Sequence, residues 1–170
     1  MKNRVFTYII YCIAVFLLVA CKKEEKFSEI PYISFVDFVK IDNALGYDDQ
    51  ARLTIHFQDG DGDLGLNENE LSAPFDTSSI YYYNFFIDYY KKIDGEYQLL
   101  ELPGTTNSRF PRLSDKESES IEGDISINIY INTYDWSTTY DTMKLECYIV
   151  DRALHKSNTI TVPEFVVKKK

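Results

Sequence analysis

The chain has 170 residues, of which 27 are acidic and 18 are basic, so it carries a net charge of −9 at neutral pH. This length suits one domain with a single hydrophobic core. A chain this acidic repels nucleic acid and anionic lipid headgroups, which excludes nucleic acid as a partner. Its carboxylates are better suited to binding cations.

The first 20 residues have the layout of a secretory signal peptide. Lys2 and Arg4 precede an apolar run, VFTYIIYCIAVFLLVA, that ends at Ala20. The run is short for a transmembrane helix, which needs about 20 apolar residues, and small residues precede the expected cleavage point. The alternative interpretation is an uncleaved apolar helix followed by a chance cysteine.

The segment from Leu18 to Cys21, LVAC, resembles the lipobox of bacterial lipoproteins. The resemblance implies that the Cys21 thiol accepts a diacylglyceryl group, and that cleavage frees its amine for a further acyl chain such as palmitate. Several acyl chains anchor a protein stably where one chain does not. We therefore expect the mature protein to bind the membrane through a lipid anchor at Cys21.

The residues after Cys21 bear on the location of the protein. Lys23, Glu24 and Glu25 resemble the export signal of surface lipoproteins in some Gram-negative bacteria, a lysine followed by an acidic pair. We expect an outer-membrane protein exposed at the cell surface. A solvated tether would have the same composition, so an inner-leaflet orientation stays open. The expected organisation is a signal peptide at 1–20, a lipidated tether at 21–30 and one folded domain at 31–167.

Alternation of apolar and polar residues predicts β-strands along the mature chain. The first is YISFVDFVKI from Tyr32, and the second is RLTIHFQ, with Leu53, Ile55 and Phe57 on its inner face. An aromatic run from Ile80 to Lys92 predicts a third strand. Asp94-Gly95 then predicts a two-residue hairpin turn, because glycine accepts positive φ without steric cost.

The C-terminal third continues the same alternation in three further segments. DISINIYIN is expected to face inward with Ile125, Ile127, Ile129 and Ile131, and TMKLECYIVD with Met143, Leu145, Cys147 and Ile149. A last strand, NTITV, is expected to end before Pro163, and the terminal lysines 168–170 are expected to fray.

These segments predict an all-β fold, an antiparallel immunoglobulin-like β-sandwich of about seven strands. The segment YDTMKLECYIVDRALHKSNTITVPEF resembles the last hairpin of immunoglobulin-like and fibronectin type III-like domains in bacterial outer-membrane lipoproteins. The resemblance implies a fold and a location, and no activity. Cys12 leaves with the signal peptide and Cys21 is lipidated, so Cys147 is expected to be an unpaired, buried residue.

The stretch HFQDGDGDLGLNENE places carboxylates at the spacing of a calcium-binding loop. Counted from Asp59, the acidic residues at loop positions one, three, five and twelve are Asp59, Asp61, Asp63 and Glu70. This spacing supplies the oxygen ligands that calcium requires, and makes calcium the one candidate cofactor. Position six is Leu64 where an EF-hand needs glycine, and a strand precedes the loop, so a true EF-hand is not expected. The alternative is a mobile acidic turn whose aspartates stay solvated.

The aromatic run offers a second candidate site. Its alternate residues form a possible binding strip for a glycan or a protein, because flat rings interleave with hydrogen-bonding groups. The residues of this strip are Tyr82, Asn84, Phe86, Asp88 and Tyr90. The alternative is that β-propensity alone explains the aromatic residues and that a loop covers them.

The sequence favours a cell-envelope lipoprotein that acts as a binding or structural module. One hypothesis is a calcium-stabilised accessory protein for surface glycan capture; another is a structural accessory of an envelope protein complex. An enzyme is the least favoured class, because no nucleophile, phosphate-loop, zinc or dinucleotide motif is present. Exposed rings on the strip would favour ligand binding, and buried rings would favour a scaffold.

Overall fold

The computed structural model describes residues 27–115, 118–132 and 138–169. The expected signal peptide, the lipidation site Cys21 and residues 22–26 lie outside the described residues. No helix within the described ranges has the length and apolar character needed to cross a bilayer. The elements are β1 (Tyr32–Ile41), β2 (Gln50–Asp59), a 3₁₀ turn (Ile80–Tyr82), β3 (Phe85–Ile93), β4 (Glu96–Leu99), β5 (Ile121–Tyr130), β6 (Tyr140–Ile149) and β7 (Ile160–Lys168).

The strands form two antiparallel sheets, one with the order β1-β2-β5 and one with the order β4-β3-β6-β7. The fifth strand returns to the first sheet, and the last two strands extend the second. This is the distribution of strands in immunoglobulin-like sandwiches, with the fourth strand as an edge of the second sheet. The predicted fold class is confirmed.

The core lies between the sheets and is built from the inward faces that alternation predicts. On β2, Leu53 and Ile55 are fully buried, and Phe57 is nearly so. On β6 the inward residues are all completely buried: Met143, Leu145, Cys147 and Ile149. Cys147 is an unpaired thiol whose pKa burial raises to about 12, so it acts as a small apolar side chain.

The hairpin between β3 and β4 has the predicted two-residue turn. Asp94 has a φ of 52° and Gly95 a φ of 89°, the positive values that a type I′ turn requires at both central positions. The turn pairs Ile93 with Glu96 and so sets the register of the edge strand β4.

The C-terminal strand is longer than the sequence indicates. β7 continues through Pro163 to Lys168, with a shift of register opposite Met143 and Leu145. Proline is tolerated because β7 is an edge strand, where one side of the backbone needs no ladder partner. The prediction that the strand stops before Pro163 is therefore wrong.

The expected fraying at the C-terminus is also wrong for two of the three lysines. Lys168 is the last residue of β7, and the Lys169 side chain is fully buried with its Nζ 2.8 Å from Asp141 Oδ2. Lys91 lies 2.7 Å from the other oxygen of the same carboxylate. Burial raises the pKa of Asp141, but the hydrogen bonds from Lys169 and Lys91 outweigh it and lower that pKa.

The register of β5 leads to a first prediction. Ile129 is 3% exposed in the core, whereas its neighbour Asn128 is exposed and Ile127 is only partly buried. Ile129→Ala should lower the free energy of unfolding by about 2–5 kcal/mol, because it leaves a cavity between the sheets. Asn128→Ala should change it by less than about 0.5 kcal/mol, as exposed positions do. Denaturant melts of both variants test the register, and equal losses would contradict it.

Candidate functional site

The acidic stretch lies at the end of the sandwich where β2 and β6 finish and β3, β5 and β7 begin. We call it the loop end. The connection after β2 meets the connection after β6 there, because the Ala153 amide donates a hydrogen bond to Asp63 Oδ2 over 2.9 Å. The described fold also starts at the loop end, since the Gly60 amide donates to the Ser28 carbonyl at 2.8 Å.

Asp59 occupies a core-facing position at the end of β2. The inward series Leu53, Ile55, Phe57 continues with period two to Asp59, whose side chain therefore points between the sheets. Asp59 is completely buried. A carboxylate in this place has lost its hydration and needs protein hydrogen bonds, a proton or a cation in return.

Three carboxylates converge at this point. Asp59, Asp61 and Asp63 each offer one oxygen, and the three oxygens lie within 4.8 Å of one another. Both oxygens of Asp59, and the Oδ1 atoms of Asp61 and Asp63, are buried and have no hydrogen-bond partner among the described residues. Oxygen atoms in this arrangement are ligands for a hard cation.

The acidic loop, residues 59–66, is packed into the fold. Leu64 is fully buried and Leu66 is 3% exposed, so the loop contributes to the core. A Cβ on Gly60 would lie 2.4 Å from the Phe27 carbonyl oxygen, and one on Gly65 would lie 2.1 Å from the Pro111 carbonyl oxygen. Neighbouring backbone therefore clamps the loop from two sides. The structure does not show the solvated acidic turn that the sequence left open.

Two arginines of the loop end, Arg109 and Arg112, bind backbone carbonyl groups and not the aspartates. Arg112 donates to the Gly62 and Leu64 carbonyls over 3.0 Å and 3.3 Å. Arg109 donates to the carbonyls of Asn67 and Tyr82 over 2.7 Å and 2.8 Å. These guanidinium groups hold the loop in shape and leave the three carboxylates without a direct ion-pair partner among the described residues.

Glu70 does not join the three aspartates. Its Oε1 pairs with Arg152 at 2.6 Å, and its Oε2 accepts the Asn67 amide at 3.1 Å. Burial opposes the shift, but the hydrogen bonds from Arg152 and Asn67 lower the pKa of Glu70. Glu70, at loop position twelve, thus forms an ion pair that holds two connections together. Of the four carboxylates that the sequence predicts as ligands, only the three aspartates converge.

Asp151 is a fourth carboxylate near the cluster that the sequence analysis missed. It is 2% exposed, and it accepts the His155 amide at 2.7 Å and approaches His155 Nδ1 at 3.0 Å. The charge of Asp151 and a hydrogen bond with it raise the pKa of His155 against the effect of desolvation. A signal was present, because Asp151 continues the inward series Leu145, Cys147, Ile149 as Asp59 continues the series of β2.

Burial and mutual repulsion change the titration of the cluster. Burial, and then the charges of Asp61 and Asp63, raise the pKa of Asp59 from 3.8 to about 7 against the opposing effect of the Leu64 amide, and Asp151 adds to the shift. Burial and the charge of Asp61 also raise the pKa of Asp63, although the Ala153 amide and Arg112 partly offset it. Without a cation, the site therefore holds a proton that ordinary aspartates release.

The expected aromatic strip does not form one exposed strand face. β3 begins only at Phe85, so Tyr82 belongs to the 3₁₀ turn. Asn84 is 1% exposed and exchanges two hydrogen bonds with the backbone of Phe110, so its amide has a structural role. Phe86 is 7% exposed and stacks on Tyr148 with ring centroids 4.8 Å apart.

The remaining two residues of the strip stay on the outer face of the second sheet. Asp88 is exposed, and Tyr90 is half-buried beneath the ammonium group of Lys144, which lies 4.6 Å from the ring centroid. The alternate residues of β3, Phe85, Ile87 and Tyr89, are buried and face the core. The strip therefore offers one exposed acid and a partly covered ring, and not the interleaved platform that the sequence suggested.

The pKa of Asp59 leads to a second prediction. An acid whose pKa is raised by folding binds its proton more tightly in the folded state, so stability falls as the pH rises from about 4 to about 7. The chelator-treated protein should therefore melt at a lower temperature at pH 8 than at pH 5. Asp59→Asn should reduce this slope and melt above the wild type at pH 8. Exposed Asp124→Asn is the control, and a slope unchanged by Asp59→Asn would contradict the prediction.

Comparison with known proteins gives no match. No family model fits the chain, and no curated protein and no solved structure is similar to it at a significant level. The sandwich is thus assigned from the strand order of this chain, and its function has to be argued from its own residues.

Proposed function

We propose that this chain is a cell-envelope lipoprotein whose β-sandwich is held close to the outer membrane as a binding or structural module. The observation that supports this is the place where the described fold begins. Phe27 and Ser28 pack on Gly60 at the loop end, six residues after Cys21. Six residues reach about 20 Å even when fully extended. An anchor at Cys21 therefore keeps the loop end near the bilayer.

The short tether gives the module an orientation. The last residues of the expected tether are part of the fold, because Ser28 bonds both to Gly60 and to its own neighbour Ile30. A domain connected to its anchor by so few residues has less rotational freedom than one on a long flexible linker. The opposite end, with the β3–β4 hairpin and the β1–β2 connection, then points away from the membrane.

A structural partner role is better supported than glycan capture. Burial of Asn84 and Phe86 removes the middle of the aromatic strip from solvent. A sugar-stacking surface needs exposed ring faces. The proposed partner is therefore an envelope protein that meets the sandwich away from the anchored end, and the proposal includes no enzymatic reaction.

Replacement of Cys21 tests the anchor, which is the third prediction. Cys21→Ser should abolish incorporation of a radiolabelled fatty acid and release the protein from the membrane fraction, because only a thiol forms the thioether. Cys12→Ser is the matched control, since Cys12 leaves with the signal peptide, and its label should equal that of the wild type. Equal label on Cys21→Ser and wild type would overturn the proposal. Protease treatment of intact cells then separates surface exposure from the inner leaflet.

A further inference from the structure

We propose that Asp59, Asp61 and Asp63 bind one divalent cation of the calcium class at the loop end of the sandwich. This site goes beyond the proposed function, because it requires neither the lipid anchor nor a protein partner. Two independent observations support it: the convergence of the three carboxylates, and the burial of Asp59, whose oxygens have no hydrogen-bond partner of normal geometry among the described residues.

The convergence has the dimensions of a calcium site. One oxygen from each carboxylate lies within 4.8 Å of the other two. Calcium binds oxygen ligands at about 2.3–2.6 Å, so ligands on opposite sides of the ion are about 4.6–5.2 Å apart. Three oxygens held within that diameter can contact the same ion. Magnesium binds at about 2.0–2.1 Å with stricter octahedral geometry, so it would require a tighter cluster.

Asp59 indicates that the place is built for a positive charge. It is fully buried at a core-facing strand position, and neither of its oxygens has a hydrogen-bond partner among the described residues. Buried carboxylates in native proteins are normally paired, hydrogen-bonded or bound to a metal. The Oδ1 atoms of Asp61 and Asp63 are also buried without a hydrogen-bond partner among the described residues. These atoms belong to the same three side chains that converge.

The surrounding cations do not fill this role. Arg112 reaches the loop but bonds the carbonyls of Gly62 and Leu64. Arg152 is engaged by Glu70. His155 approaches Asp151. Three carboxylates thus converge in a place where Arg112, Arg152 and His155 each contact other groups, and a small doubly charged ion would offset most of the repulsion.

The proposed site differs from an EF-hand in its ligands and its framework. Its first ligand extends from the last residue of a strand, and Leu64 at loop position six is a core residue. Glu70, which would close an EF-hand as a bidentate ligand, is held by Arg152. The remaining coordination positions would be filled by water or backbone oxygen, as in other calcium sites with few carboxylates.

Calcium binding by the full-length protein in detergent tests the site, which is the fourth prediction. Equilibrium dialysis against radioactive calcium should give one ion per chain, and calcium should raise the melting temperature by mass action. Asp61→Asn and Asp63→Asn should weaken binding roughly tenfold or more, because calcium affinity follows the charge of its ligands. Exposed Asp124→Asn, which removes the same charge elsewhere, should bind like the wild type.

Two further arms sharpen the result. Glu70→Gln should keep the affinity of the wild type, and a loss as large as that of Asp61→Asn would overturn the three-aspartate ligand set. Magnesium should raise the melting temperature less than calcium at the same concentration. No calcium binding at millimolar concentration, or equal binding by all the aspartate variants, would overturn the site. The fatty-acid labelling result at Cys21 is unaffected by either outcome.

Discussion

The buried carboxylate of Asp59 is the constraint around which the loop end is organised. It occupies the position where β2 should place a fourth apolar residue after Leu53, Ile55 and Phe57. An apolar side chain there would simply extend the core. A carboxylate without a hydrogen-bond partner among the described residues makes the same position costly unless a proton or a cation is present. The cluster of Asp59, Asp61 and Asp63 is an arrangement that would attract such a cation.

The loop after Asp59 is held in place by its backbone. Gly60 and Gly65 allow the Phe27 and Pro111 carbonyls to approach where any Cβ would collide. Arg112 binds the loop carbonyls from the other side. A loop fixed by these contacts, and by the hydrogen bond from the Ala153 amide to Asp63, keeps its three carboxylates together. Such preorganisation reduces the conformational entropy that a bound ion would otherwise have to offset.

The sequence was sufficient for the fold because the core strands alternate strictly. Met143 to Ile149 and Leu53 to Phe57 each place every second residue in the core, so period two identifies both the strand and its inner face. The prediction failed where tertiary contacts override local pattern. β7 passes Pro163 because that strand lies at an edge, and Lys169 is ordered because Asp141, distant in sequence, pairs with it.

The candidate site was only partly predictable for a related reason. The spacing Asp59, Asp61, Asp63 is local and was visible, but the partner of Glu70 is Arg152, which comes from the β6–β7 connection. Likewise, the burial of Asn84 depends on hydrogen bonds with Phe110. The alternation of apolar and polar residues does not predict pairings between residues so distant in sequence. The inward positions of Asp59 and Asp151 could be read from the sequence, because each follows four buried apolar residues at every second position.

The two ends of the sandwich differ in whether a buried carboxylate is paired with a positive side chain. At the far end, Asp141 is paired with both Lys91 and Lys169, and its pKa is lowered although burial opposes this. At the loop end, Asp59 lacks such a partner and its pKa is raised to about 7. Both carboxylates are buried at the margin of the same core, so burial alone does not explain the difference. At the far end Lys91 and Lys169 supply the counter-charge for Asp141, whereas at the loop end we propose that a cation from solution supplies it.

That asymmetry relates the proposed cation to the proposed anchor. If Cys21 is lipidated as proposed, the acidic loop would lie near lipid headgroups, and an uncompensated cluster of aspartates would be repelled by an anionic surface. The proposed divalent ion would remove most of that repulsion at the end of the sandwich nearest the proposed anchor. The proposed ligand Asp59 is adjacent in sequence to Gly60, whose amide donates a hydrogen bond to the Ser28 carbonyl where the expected tether enters the fold. The proposed ion binding and the proposed orientation of the module would then be linked through this one hydrogen bond.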